Sequence, residues 1–89
     1  DAVAWGLANA ICKPDELIDA TLRAARAIAD NAPIAVRQAK QAIHKGLQMG
    51  LQDGMAFEIE AYNRTVSTAD RREGVLAFNE KRKAIFKGD

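Results

Sequence analysis

The sequence predicts an all-α fold of about four helices arranged as helical hairpins, with a short extended segment near the N-terminus. Three observations carry this. Apolar residues recur at helical spacing in successive stretches, and helix-starting and helix-stopping residues punctuate those stretches. Alanine is abundant while aromatics are only 6%, a balance that favours closely packed helices over sheets. At 89 residues the chain is one small domain or one piece of a larger one, able to bury a modest core.

Taken in order, Ala2-Val3-Ala4-Trp5 reads as the end of a helix stopped by Gly6. Leu7 to Cys12 follows as a short extended or strand-like run, too short to make a sheet alone. Pro14 with Asp15 and Glu16 is a helix start, because proline is preset for the first turn and acids favour the positive end of the dipole. Leu17, Ile18, Thr21, Leu22, Ala25, Ile28 and Ala29 then mark one face expected to be buried. Asp30-Asn31-Ala32-Pro33 ends that helix and starts a second, whose stripe is Val36, Ala39, Ile43 and Leu47. Gly46 and Gly50 weaken its end. A third helix is expected from Leu51 to Val66, with Leu51, Met55, Ile59, Tyr62 and Val66 inside. Thr68 is placed to cap a fourth by accepting from the amide of Asp70 or Arg71. Val75, Phe78 and Arg82 share a face of it. Gly74 lies mid-helix, at a cost of roughly 1 kcal/mol against alanine, which packing against a neighbouring element or ligand would explain. The first and second helices meet at a short turn, as do the third and fourth.

Composition excludes several function classes. A net charge of +1 gives no global field for nucleic acid or membrane. Residues 71–89 nevertheless carry six Lys/Arg against three Asp/Glu, while residues 1–70 carry seven against nine. That patch reads either as an anion site or as a solvated helix end. Cys12 stands alone in an apolar run, so no internal disulfide or cysteine cluster is expected, and a buried inert thiol is the expectation. Neither a signal peptide nor an apolar run long enough to cross a bilayer is visible, so a reducing compartment is expected, the cytoplasm first and an organellar matrix as the alternative. The chain opens at Asp1 without Met and reads as a truncated piece of a longer one.

A catalytic constellation is missing from the sequence. His44 is the sole histidine, beside Lys45 on a helix, and is expected at the surface. Ser67 is the sole serine, and no metal-binding spacing occurs. Glu58 and Glu60 are two apart on a helix and so diverge. The functional candidates are instead cationic and aromatic. Phe78 precedes Lys81 by about one turn, so a ring and an ammonium can serve a stacked base and its phosphate, with Tyr62 as a second wall. The competing reading makes Phe78 a core residue and Lys81, Arg82 and Lys83 complements to the helix dipole.

From Thr68 to Gly88 the chain resembles the carboxyl terminus of the crotonase, or enoyl-CoA hydratase/isomerase, superfamily, with its T-x-D-x-x-E-G-x-x-A-F-x-E-K-R run followed by F-x-G. Gly6-Leu7-Ala8-Asn9 is similar to the family's G-L-V-N, and Asp15-Glu16-Leu17 with Ala24 to Ala29 to its next helix. Asn31 to Lys40 resembles the A-P-x-A-x-x-x-x-K element, and Leu51 to Glu58 the L-x-x-G-x-x-x-E pattern. The resemblance implies a single C-terminal helical domain over residues 1–89 that serves oligomerisation and coenzyme A capping. It implies a parent enzyme acting on acyl-CoA in fatty-acid metabolism, through two backbone N–H groups and, in hydratases, two glutamates lying upstream. Tyr62, Phe78 and Lys81 match the adenine-side and phosphate-side contacts to the substrate's coenzyme A moiety. A homo-oligomer is implied, trimer or hexamer for the parent and dimer or higher for the fragment. No catalytic residue, metal or covalently bound cofactor falls within the chain on this reading. A stand-alone helical interaction domain, or another crotonase-family reaction such as isomerase or dehalogenase, remains an alternative. Trp5 has no functional reading.

Overall fold

The helix boundaries follow the punctuation closely. A computed structural model describes residues 1–89, with a 3-10 turn at Pro14–Glu16 followed by α1 (Leu17–Ala29), α2 (Pro33–Gly46), α3 (Leu51–Val66) and α4 (Ala69–Asn79). There is no strand, and residues 8–13 are irregular with a bend at Asn9, so the extended segment expected over Leu7–Cys12 does not form a regular element. Pro14 opens the 3-10 turn rather than α1 itself, a common way to tighten the entry to a helix. Pro33 sits in the first turn of α2, where its missing N–H would have had no intrahelical partner.

Residues 2–7 form one tight turn with the bonding of a helix C-terminus. The Gly6 N–H donates to the Val3 carbonyl at 3.0 Å and the Leu7 N–H to that of Ala2 at 2.9 Å. Gly6 has φ +74, the left-handed conformation that such a stop requires. At the other junction Thr68 caps α4 as expected, its Oγ1 accepting from the Arg71 N–H at 3.1 Å.

The hairpin that forms is α2 against α3, joined through Leu47–Gly50. The turns between α1 and α2, and between α3 and α4, bring their helices little side-by-side packing. Small residues explain the choice. A Cβ on Gly54 would lie 3.4 Å from the Gly46 carbonyl oxygen and 3.5 Å from its Cα, so the two backbones nearly touch. Farther along, Ala35, Ala39 and Ala42 of α2 face Ala61 and Thr65 of α3 across a shallow apolar groove. Near the hairpin's turn, the Lys45 ammonium sits 5.2 Å from the centre of the Phe57 ring.

Little of the chain is buried. Only Ala61, Asp70 and Ala77 are, and α1 contributes no buried residue. The face of α1 expected to be buried is therefore open: Leu17, Ile18, Leu22 and Ile28 are all exposed. The stripes of α2 and α3 fare similarly at Ile43, Leu47, Leu51, Met55 and Ile59. The periodicity identified the apolar faces correctly, but this chain supplies no second layer to cover them. The radius of gyration, 16.5 Å, agrees with that openness. A compact chain of this length would give about 12 Å.

Candidate functional site

Helix α4 ends earlier than its sequence pattern suggests, and the chain then doubles back. The Lys81 N–H donates to the Phe78 carbonyl at 3.2 Å and the Arg82 N–H to that of Ala77 at 3.0 Å. This paired bonding closes a helix through one left-handed residue. Here that residue is Lys81, with φ 54, the only non-glycine at positive φ. Arg82 consequently does not continue the face of Val75 and Phe78. It belongs to a returning segment, residues 82–89, that runs back to the start of α4.

Two acids three residues apart on α4 hold that return. Asp70, 2% exposed, accepts the Lys87 N–H on Oδ1 at 2.7 Å and the Gly88 N–H on Oδ2 at 2.8 Å. Its own N–H donates to the Asp89 carbonyl at 3.0 Å. Gly88 has φ +85 there, which a side chain would resist. One turn on, Glu73 accepts the Ile85 N–H at 2.9 Å and a forked pair from the Arg82 guanidinium at 2.6 and 2.9 Å. Those bonds, that from Arg82 foremost and that from Ile85 next, hold the Glu73 carboxyl down at about 2. The same contacts, with a 2.6 Å bond from Arg82 Nε to Glu80, push the Arg82 guanidinium further up. Phe86 lies over Gly74, where a Cβ would meet its ring at 3.5 and 3.7 Å. The expected neighbour of that glycine is thus the chain's own return. Lys83 reaches Asp30 at the end of α1, Nζ to Oδ2 3.2 Å, and Gly88 rests against Pro33. The clasp therefore ties α4 to the α1–α2 junction.

This arrangement divides the basic patch. Arg82 and Lys83 are engaged by Glu73, Glu80 and Asp30, whereas the Lys81 ammonium makes no ion pair. Lys81 and Phe78 are joined at the helix end by the main-chain bond between them, and the Phe78 side chain is 84% exposed. Tyr62 is arranged differently. Its hydroxyl accepts from Arg71 at 3.2 Å, and the Arg71 guanidinium carbon lies 5.9 Å from the centre of its ring. No hydrogen bond or cation–π contact joins Tyr62 to Phe78 or Lys81. The Phe78 ring is uncovered rather than in a core, and no cation sits over it.

Arg71 is a candidate anion contact that spacing did not single out, because it meets Tyr62 only across the corner set by the Thr68 cap. The other sequence candidates are placed simply. His44 is exposed, Cys12 is half-buried rather than buried, and Glu60 is paired with Arg64 one turn away at 2.6 Å. No helix is long and apolar enough to cross a membrane.

A family profile described as enoyl-CoA hydratase/isomerase matches residues 1–89. The chain is 51% identical over 83 residues to YngF, an enoyl-CoA hydratase/isomerase-type protein of Bacillus subtilis (strain 168), covering 93% of this chain and 32% of that protein. It is 41% identical over 83 residues to the short-chain-enoyl-CoA hydratase of Clostridium acetobutylicum, with the same coverage of each. The crystal structure of an enoyl-CoA hydratase from Bacillus anthracis superposes with a TM-score of 0.96 at 41% identity, over 99% of this chain and 34% of that one. The chain spans about a third of the length of these relatives. Profile, identity and fold agree over nearly every residue, and the chain belongs to the enoyl-CoA hydratase/isomerase family.

Proposed function

We propose that this chain is the helical C-terminal part of an enzyme that acts on acyl-CoA thioesters. In that enzyme it supplies packing faces to the rest of the protein and to neighbouring subunits, and closes over the coenzyme A nucleotide. The observation that carries the reading is the imbalance between family membership and burial. The sequence is that of an acyl-CoA enzyme family, yet only three of its residues are buried and every helix presents exposed large apolar side chains. Exposed apolar side chains at helical spacing on every helix support a role as packing surfaces.

Capping is assigned to the cationic turn. Phe78 offers a bare ring for the adenine, and the unpaired Lys81 ammonium offers a phosphate contact beside it. Tyr62, with Arg71 against it, is a second aromatic and cationic pair on the adjoining corner. Catalysis is assigned elsewhere in the enzyme. A surface lysine–phosphate contact contributes about 1 kcal/mol or less, and stacking on one aromatic adds about 1–3 kcal/mol. Only with both at their upper limits do they reach about −4 kcal/mol, a millimolar dissociation constant. The test is an NMR titration of the chain with 3′-phospho-AMP. The amides around Phe78 and Lys81 should shift first, and Lys81→Ala should weaken the response as added salt does. Shifts confined to Lys13 or Arg37, or none at high millimolar nucleotide, would overturn the assignment.

A further inference from the structure

We propose that Glu73 and Arg82 are positioning residues that hold Lys81 in its left-handed conformation and so aim its ammonium at a phosphate. The proposal rests on the reading of Lys81 as a phosphate contact, and adds what makes that lysine competent. A lysine at φ 54 is unfavourable on its own, because its Cβ crowds the following carbonyl. A residue in such a region persists only where its surroundings over-determine it.

The surroundings here are specific. Lys81 lies between Glu80 and Arg82, and these flanking side chains bond each other at 2.6 Å. Arg82 is in turn forked onto Glu73, nine residues back along the chain, at 2.6 and 2.9 Å. Glu73 also accepts the Ile85 N–H, so the segment leaving Lys81 is tied at a second point. The backbone of Lys81 is thereby fixed from both sides while its own side chain is left without a partner. The neighbouring cation Lys83 is drawn away to Asp30. Of three consecutive cations, the fold engages two internally and presents the first.

The experiment separates positioning from binding. In the unliganded chain, the backbone coupling constant and Cα shift of Lys81 report its φ. Glu73→Gln, which keeps the shape and removes the charge, should return Lys81 largely to negative φ. With most of the left-handed population gone the lysine contact is largely lost, and the apparent dissociation constant for 3′-phospho-AMP rises by up to about fivefold, the full worth of a contact of about 1 kcal/mol. A D-lysine in place of Lys81, introduced by ligation, prefers positive φ intrinsically. Added to the Glu73→Gln chain it should restore most of the lost affinity, a rescue that general loosening of α4 would not give. Three outcomes would overturn the proposal: unchanged φ in Glu73→Gln, changed φ with unchanged affinity, or no rescue by the D-residue. If Lys81→Ala itself binds as tightly as the parent, the phosphate reading fails, and the proposal with it. That outcome is recognised separately because the coupling constants of the other chains are unaffected by it.

Discussion

Replacing Asp70 by alanine should release the returning carboxyl terminus while leaving the α2–α3 hairpin intact. Both carboxylate oxygens of this buried residue accept backbone N–H groups, from Lys87 and Gly88 at 2.7 and 2.8 Å. A hydrogen bond to a charged acceptor contributes about 1.5–3 kcal/mol net, so the pair contributes about 3–6 kcal/mol to keeping the return in place. The entropy regained by a freed segment is common to both proteins and cancels in the comparison. A loss of about 3 kcal/mol corresponds to more than a hundredfold in the opening equilibrium. Hydrogen exchange reads it directly: the Lys87 and Gly88 amides should lose protection by that factor or down to the free-peptide rate. The Ala61 amide in α3 should change little. Asp70→Asn should behave similarly, since it offers one acceptor and turns an amide donor toward an N–H. Unprotected Lys87 and Gly88 amides in the unsubstituted chain, or protection surviving Asp70→Ala, would refute the reasoning.

Acid should open the second fastening. The Glu73 carboxyl is held at about 2, below its ordinary 4.5, so its contribution is complete above that ordinary value and is lost as pH falls toward 2. The Ile85 amide should lose protection in that window, and Glu73→Gln should abolish the transition. Gly74→Ala should stabilise the chain by up to about 1 kcal/mol in a urea or thermal melt. Its methyl would meet the Phe86 ring at ordinary contact distance, 3.5–3.7 Å. Destabilisation instead would mean that the Phe86 ring leaves no room for a methyl at position 74. The chain alone should show no turnover of crotonyl-CoA in a spectrophotometric assay, because it brings together no acid–base pair. Activity above background in material free of full-length enzyme would contradict that.

Helix positions were legible because their signals are local. Thr68 caps α4, Pro33 opens α2, and α3 spans Leu51–Val66 as the pattern indicates. The apolar stripes were legible as faces, but a stripe does not say what covers it. Hence residues such as Ile18 and Leu51, expected inside, are exposed in this chain. The clasp was not legible at all. Asp70 bonds backbone N–H groups 17 and 18 residues away, and a bond to main chain leaves no side-chain pattern to read. The Glu73–Arg82 link spans nine residues across a reversal that follows no helical period. The run from Thr68 to Gly88 that identified the family is here largely this clasp: cap, two acids, a glycine beneath Phe86, and a forked arginine. Within it, Phe78 and Lys81 were singled out by spacing as candidates. The left-handed turn that sets Lys81 apart from Arg82 was not, because no glycine or asparagine marks it.

Sedimentation velocity of the chain over a wide concentration range tests most directly whether its apolar faces are interfaces. The sedimentation coefficient should rise with concentration, with Leu51, Met55, Ile59 and Val66 of α3 among the contributors. Leu51→Gln with Ile59→Gln should shift that rise to higher concentration. A helical chain that remains a monomer at every concentration would contradict the account.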